Sequence, residues 1–401
     1  MSGFFTSLIW VKASSMRRSN DRTPSMPSET GSLELVEASR RVAVAFSSSI
    51  EASTSGGPSM SRGPRYIPPG WSVEVSTSTV CGFFMLPVTT HFRRIFIGIL
   101  GRAQEKHPVK IHAVVATSSH YHMILTPEDA EQLAKFMAFV NGNLAREAAR
   151  VVGWRGSFWR ERYHLIPISP EHDALVGRLR YVLSNTVKEF LVERVRDWEG
   201  VHSAEALMDG KPMKGIWYAR SEEHEARRQA ERKAARRGKQ AEEVSRGAFM
   251  EHYEVKLAPL PCWQKDSPAT RRKRITQMVL EIEAKAAARR SELGIEVIGM
   301  DAIRNQNPLG RSVHAKRRPK PLCHAASKEM RERVKKAYAA FVEMFREASL
   351  KVKLGRFAEA IFPKHSFPPS LPFVRIGEVI DPLADAGGVE RWLSWTQASS
   401  S

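Results

Sequence analysis

Between positions 71 and 194 the hydrophobic pattern changes period again and again, and few folds satisfy that order of changes. Residues 71–80 alternate apolar with polar positions and are rich in β-branched side chains, the signature of a strand. Residues 89–107 carry a helical period through Phe92, Ile95, Ile97, Ile99 and Leu100 and stop at Pro108. Two apolar strands follow at 110–117 and 120–126, joined by a tight Ser118-Ser119 turn. Residues 128–152 form an amphipathic helix closed by Gly153, 157–169 contain a strand, and 170–194 read as a further helix. The order β-α-β-β-α-β-α predicts an α+β, ferredoxin-like domain, with an antiparallel sheet covered by helices on one face.

The rest of the chain is organised differently. Residues 1–59, rich in Ser, Gly, Pro and Arg, predict a disordered N-terminal extension lying upstream of the folded part, which starts near Met60. The segment 60–210 holds the α+β domain. Residues 211–401 predict a basic, mainly helical region, with a highly charged helix at 219–240 and helices near 268–292 and 327–349. Pro-rich basic connectors occur at 317–321 and 363–372.

The charge balance narrows the partner. Lys and Arg number 62 against 43 acids, a formal net charge of +19 in 401 residues. Such an excess points to a polyanion, most simply nucleic acid. An anionic membrane surface is the rival, but no apolar run approaches the ~18 residues of a spanning helix. Cys81, Cys262 and Cys323 form no CxxC pair, which argues against a disulfide framework and a structural zinc site and fits a reducing, cytoplasmic setting.

Three groups of residues could carry chemistry. His120 and His122 sit at i and i+2 of a strand, so both rings leave the same face and can converge on one metal ion. With 13 histidines in the chain, about 0.4 such pairs arise by chance, so the pair alone is weak. On the helix at 170–194, Leu175, Val176, Leu179, Val182, Leu183, Val187 and Phe190 gather on one stripe. Tyr181 falls almost opposite, with Asn185 one turn on. Tyr181 is either a presented nucleophile or a ring packed at the surface with its hydroxyl in water. The run from Phe158 to Tyr163 mixes aromatic and guanidinium groups, suited to stacking on bases and holding phosphates, or else forms a half-buried strand with charged alternates.

Taken together, the blocks resemble the REP-associated tyrosine transposases, an IS200-like family of HUH single-tyrosine enzymes. The resemblance rests on His120-Tyr121-His122 closing a hairpin, on residues 156–163, on the run from Arg180 through Tyr181 and Asn185 to Lys188, and on Asp197-Trp198. It spans about residues 66–210, whereas such relatives end soon after the Trp segment. It implies that His120, His122 and Asn185 bind a divalent metal, Mg²⁺ or Mn²⁺, and that Tyr181 is the nucleophile. It further implies that Arg160, Arg162, Tyr163 and Lys188 contact single-stranded or hairpin DNA, with no membrane partner and with a homodimer as a candidate assembly. Two other classes compete: a non-cutting nucleic-acid-binding protein of HUH-like fold, and a metal-dependent phosphohydrolase with water as nucleophile.

Overall fold

The computed structural model describes residues 63–240, 243–311, 321–364, 366–367 and 375–376. The expected extension at 1–59 lies outside the described residues, as do most of the connectors at 317–321 and 363–372. The first elements are β1 (Ser72–Ser78), α1 (Thr90–Lys106), β2 (Lys110–Ala116), β3 (His120–Thr126), α2 (Ala130–Val152) and β4 (His164–Ile168). After them come α3 (His172–Leu183), α4 (Asn185–Lys188), α5 (Ala204–Asp209), β5 (Met213–Tyr218), α6 (Arg220–Arg236), β6 (Met250–Val255), α7 (Pro268–Leu293), α8 (Met300–Arg304) and α9 (Lys328–Lys353). A short parallel pair, β7 (Ile361–Phe362) and β8 (Arg375–Ile376), completes the described elements.

The first four strands form one sheet in the order β2-β3-β1-β4, every pair antiparallel. With α1 and α2 as its crossovers this is the ferredoxin-like arrangement expected from the period changes. Local chemistry sets the helix ends. The Thr89 hydroxyl accepts the Phe92 N–H at 3.2 Å, and Asp129 accepts that of Gln132 at 2.7 Å. Gly153 closes α2 at φ 68°, where a Cβ would be strained.

The strand period decides which side chains go to which face. Tyr121, Met123 and Leu125 are buried beneath α1 and α2, together with Phe96 and Phe136. Ile124, Ala113 and Val115 face the other way and pack with Leu175, Leu179 and Val182 of α3 and with Met278 and Ile282 of α7. The expected helical layer is therefore present, and a second layer covers much of the opposite face. Trp198 seals that side, its Nε1 donating to the Ala116 carbonyl at 3.1 Å.

Two sequence expectations need correction. The run from Phe158 to Tyr163 is not a strand: a single bridge joins Trp159 to Thr79, and β4 begins only at His164. Phe158 and Tyr163 are drawn into the core, which breaks the alternation that a strand requires. The helix expected over 170–194 is interrupted after Leu183, resumes for the single turn of α4, and ends before Phe190, which has φ 54°. The second half is mainly helical, as expected, and also holds a pair of strands. β5 and β6 pair with each other and lie against α1, and Met213, Ile216 and Val255 join the core beneath it. Charged alternates such as Lys214, Glu251 and Glu254 mask both strands in the sequence.

The contact between α1 and β5 is backbone against backbone. A Cβ on Gly98 would sit 2.0 Å from the Ile216 carbonyl oxygen, and one on Gly215 would sit 2.1 Å from the Gly98 nitrogen. Gly98→Ala is therefore expected to destabilise the fold by about 1–3 kcal/mol through overpacking, read as a lower urea midpoint.

Residues 321–327 tie the second half to the edge of the sheet. The His324 N–H donates to the Pro167 carbonyl and the Ser169 N–H to the His324 carbonyl, both at 2.8 Å. Glu171 then accepts the N–H groups of Ala326 at 2.9 Å and Ser327 at 3.1 Å. Ser327 itself caps α9, its hydroxyl accepting the Met330 N–H. Slight burial works to raise the Glu171 pKa, but the Ser169 and Ser327 hydroxyls and the two backbone N–H groups outweigh it and bring it down to about 2. The free chain binds this proton near pH 4.3. The carboxylate's contribution is thus complete above about pH 4.3 and fades as pH falls toward 2, because the undocked form takes up the proton first. Hydrogen exchange at Ala326 and Ser327, corrected for intrinsic rate, should show protection falling over that window, and Glu171→Gln should remove the pH dependence.

Candidate active site

The register of β1 on β3 sets Ser76 opposite His122 and Ser78 opposite His120. Both histidines therefore leave the sheet on the face that carries α3, and Tyr121 between them points into the opposite core. The two imidazole rings lie 5.2 Å apart, centroid to centroid. His120 Nδ1 is 3.0 Å from the Thr117 hydroxyl and 3.2 Å from that of Ser119. The tight turn of the hairpin thus also orients the first ring.

His122 is oriented by a carboxylate. Its Nδ1 lies 2.9 Å from Oε1 of Glu74, a buried residue of β1. Oε2 of Glu74 meets the guanidinium of Arg178 and lies 2.9 Å from Nε2 of His324. Burial by itself works to raise the Glu74 pKa, but the His122 and His324 contacts and the charge of Arg178 hold it well below the usual carboxylate range. Burial lowers the His122 pKa, partly offset by Glu74. The pair is accordingly a carboxylate and a neutral imidazole. With its proton on Nδ1, shared with Glu74, His122 presents the Nε2 lone pair, which is the form a metal ligand needs.

Tyr181 comes to this face from α3. Its ring stands edge-on to that of His122 at a centroid distance of 5.8 Å. It is 37% exposed. Arg178 Cζ lies 4.0 Å and Lys188 Nζ 3.5 Å from its ring centroid. Lys188 is half-buried against the ring rather than extended into solvent, and burial brings its pKa down to about 8. Burial and the nearby Glu74 carboxylate raise the Tyr181 pKa, against the pull of Arg178, so the resting side chain is a neutral phenol.

Asn185 sits elsewhere than a surface helix position would put it. It is 2% exposed, and its Nδ2 donates to the carbonyls of Tyr181 and Val182, each at 3.0 Å. It terminates α3 immediately beyond Tyr181, leaving only Oδ1 to offer to a cation. Arg160 and Arg162 are exposed beside β4. Tyr163 is not presented at all: it is 8% exposed, with the Arg65 guanidinium 3.8 Å from its ring centroid.

The structure therefore brings together His120, His122 and Tyr181, with Lys188 beside them. Sequence reasoning missed Glu74, Arg178 and His324. Glu74 is the lone acid in an otherwise uncharged strand, a signal that could have been weighed. Arg178 precedes Tyr181 by three residues and shares its helix face. His324 has no local signal. Among the described residues no three His, Cys, Asp or Glu side chains form a metal cluster. Two imidazoles and one amide oxygen are nonetheless suitable donor types for a divalent ion. No described helix is long and apolar enough to cross a membrane.

No family model matches the chain, and no curated protein matches it. Among solved structures it is similar to a REP-associated tyrosine transposase bound to a REP hairpin, with 18% identity over 37% of this chain and 86% of the other and a TM-score of 0.30. It is also similar to a candidate transposase of Deinococcus radiodurans, with 13% identity over 32% of this chain and 95% of the other and a TM-score of 0.19.

Asn185→Ala is expected to cost about 1 kcal/mol of stability, since the Tyr181 and Val182 carbonyls lose the amide donor while the Ser184 hydroxyl still donates to the former. Urea unfolding of the variant checks this, and unchanged stability would show that the carboxamide is not what ends the helix.

Proposed function

We propose that this chain is an HUH-type transposase that cuts and rejoins single-stranded or hairpin DNA through Tyr181. The observation that carries the reading is the placement of a half-exposed tyrosine edge-on to His122, with His120 on the same face of the same strand. Two imidazoles and one phenol share one face, and two cations lie against the tyrosine ring.

His120, His122 and the Oδ1 of Asn185 would hold a divalent ion, Mg²⁺ or Mn²⁺. Such an ion supplies Lewis-acid polarisation of a non-bridging phosphate oxygen. The remaining work belongs to side chains. The Tyr181 hydroxyl attacks the phosphorus, the bond from phosphorus to the 3′ oxygen breaks, and the hydroxyl proton is released as the new P–O bond forms. The departing 3′ oxygen takes up a proton. Because the phenol is neutral at rest, Arg178 and Lys188 favour negative charge growing on the ring oxygen and on the phosphate. The 5′-phosphotyrosyl product is still a diester, so a 3′-hydroxyl can reverse the attack without ATP. Arg160 and Arg162, both exposed, would hold the flanking backbone. Tyr163, enclosed under Arg65, has a poor claim to be the nucleophile.

The test is incubation with labelled, hairpin-flanked single-stranded DNA and Mn²⁺, followed by a denaturing gel. A protein–DNA adduct is expected from the native chain and from Tyr163→Phe, and none from Tyr181→Phe, whose ring and packing are kept. His120→Ala and His122→Ala should lose the adduct and keep most DNA binding. Cleavage without any adduct would move the chain to the water-activated phosphohydrolases. Binding without cleavage would leave it a nucleic-acid-binding protein of HUH-like fold.

A further inference from the structure

We infer that His324, contributed by the second half of the chain, is a positioning residue for the candidate active site, acting on His122 through Glu74. This rests on the reading above in taking His122 as a metal ligand, but its first test needs neither metal nor DNA.

Glu74 is a buried carboxylate with three neighbours, and two of them come from the α+β domain itself: His122 on β3 and Arg178 on α3. The third, His324, lies some 250 positions away in sequence and reaches Oε2 from the opposite side of the chain's organisation. A carboxylate that orients a histidine can do so only if its own rotamer is fixed. Oε1 faces His122, and Oε2 is where rotation is blocked, by Arg178 and His324 together. The His324 side chain is largely buried in this contact, at 15% exposure. Its Nε2 is the atom that faces Oε2, at 2.9 Å, and this contact is among those that hold the Glu74 carboxylate in its charged form.

The backbone shows that the ring is delivered on purpose of structure, not by chance collapse of a loose tail. His324 is paired on both its N–H and its carbonyl with the edge of β4, through Pro167 and Ser169. Glu171 holds the next two N–H groups. On the preceding side Cys323 is buried with Trp71 and Val334. With both flanks docked, the only freedom left to His324 is its own side-chain rotation, and the ring is turned to Glu74. The second half of the chain therefore completes the surroundings of the site as well as adding positive charge.

The experiment compares the full chain with His324→Ala and His324→Gln. The pairing at Pro167 and Ser169 is through backbone, so both variants should keep the segment docked, checked by hydrogen exchange at Ala326. The first readout is the slowly exchanging ring N–H proton of His122 in the downfield proton spectrum, assigned by its loss in His122→Asn. It is expected to be sharp in the native chain, broadened or lost in His324→Ala, and largely regained in His324→Gln, which keeps an N–H donor. The second readout is Mn²⁺ affinity by loss of the free-ion paramagnetic signal, expected to weaken about threefold to tenfold in His324→Ala, at or below the range for groups that orient a ligand directly. If the His122 signal and the Mn²⁺ affinity are unchanged in His324→Ala, or if glutamine behaves as alanine does, the inference is overturned. A native chain that shows the His122 signal and its His324 dependence but forms no DNA adduct would sink the transposase reading and leave this one standing.

Discussion

An ionised carboxylate buried in the middle strand of the sheet is the constraint around which the site is arranged. A lone carboxylate in such a place would be neutralised or expelled, since desolvating it costs several kcal/mol. Glu74 stays charged because His122, Arg178 and His324 surround it. Each of these comes from a different element, so the charge is fully compensated when β3, α3 and the 321–327 segment are all in place. The same contacts that make the charge tolerable fix the rotamers of His122 and Arg178. Arg178 in turn lies against Tyr181. One electrostatic requirement thereby sets the geometry of a histidine and a tyrosine that share no sequence neighbourhood.

The second constraint is the period of a strand. A slip of one residue between β1 and β3 would exchange Tyr121 for the histidines on the α3 face and bury two imidazoles in the core. Tyr121, Met123 and Leu125 prevent the slip, because they fill the space under α1 and α2. Apolar packing on one face therefore guarantees that both imidazoles appear on the other. The layer that covers the active face is incomplete in the same sense: α3 and α7 bury Ile124 and its neighbours, while Tyr181 beside the histidines stays half-exposed.

This explains which parts were legible from sequence. Strands and helices with a full apolar face, β2, β3, α1 and α2, end within a residue or two of the expected limits, because periodicity reports burial directly. His120, His122 and Tyr181 were legible for the same reason: each departs from its element's apolar face. The errors fall where side chains serve a tertiary partner. Asn185 continues the helical pattern of 170–194, yet its amide turns back to the Tyr181 and Val182 carbonyls and ends the helix. Phe158 and Tyr163 imitate strand alternation but are held by the core and by Arg65. β5 and β6 escape notice because charged alternates mask their period, and because β5 meets α1 through Gly98 and Gly215, a contact without side chains that no hydrophobic pattern records. His324 had to be missed: its role depends on a contact between two halves of the chain, and nothing in its local sequence distinguishes it from other histidines.

The two tyrosines near the basic surface show how environment, more than residue type, divides roles. Tyr163 and Tyr181 both lie within reach of arginine, and burial raises the pKa of both. A guanidinium over a ring stabilises it by cation–π attraction whether or not the hydroxyl does anything. For Tyr163 that attraction seals the residue, since Arg65 also donates to its backbone carbonyl at 2.8 Å. Arg178 is anchored differently, on Glu74, and Lys188 reaches the Tyr181 ring from the turn that Asn185 creates. Arg178 is thus held by Glu74 as well as by the tyrosine, whose side chain stays partly exposed. The anchoring of Arg178 on Glu74 is therefore what sets a cation beside the exposed tyrosine.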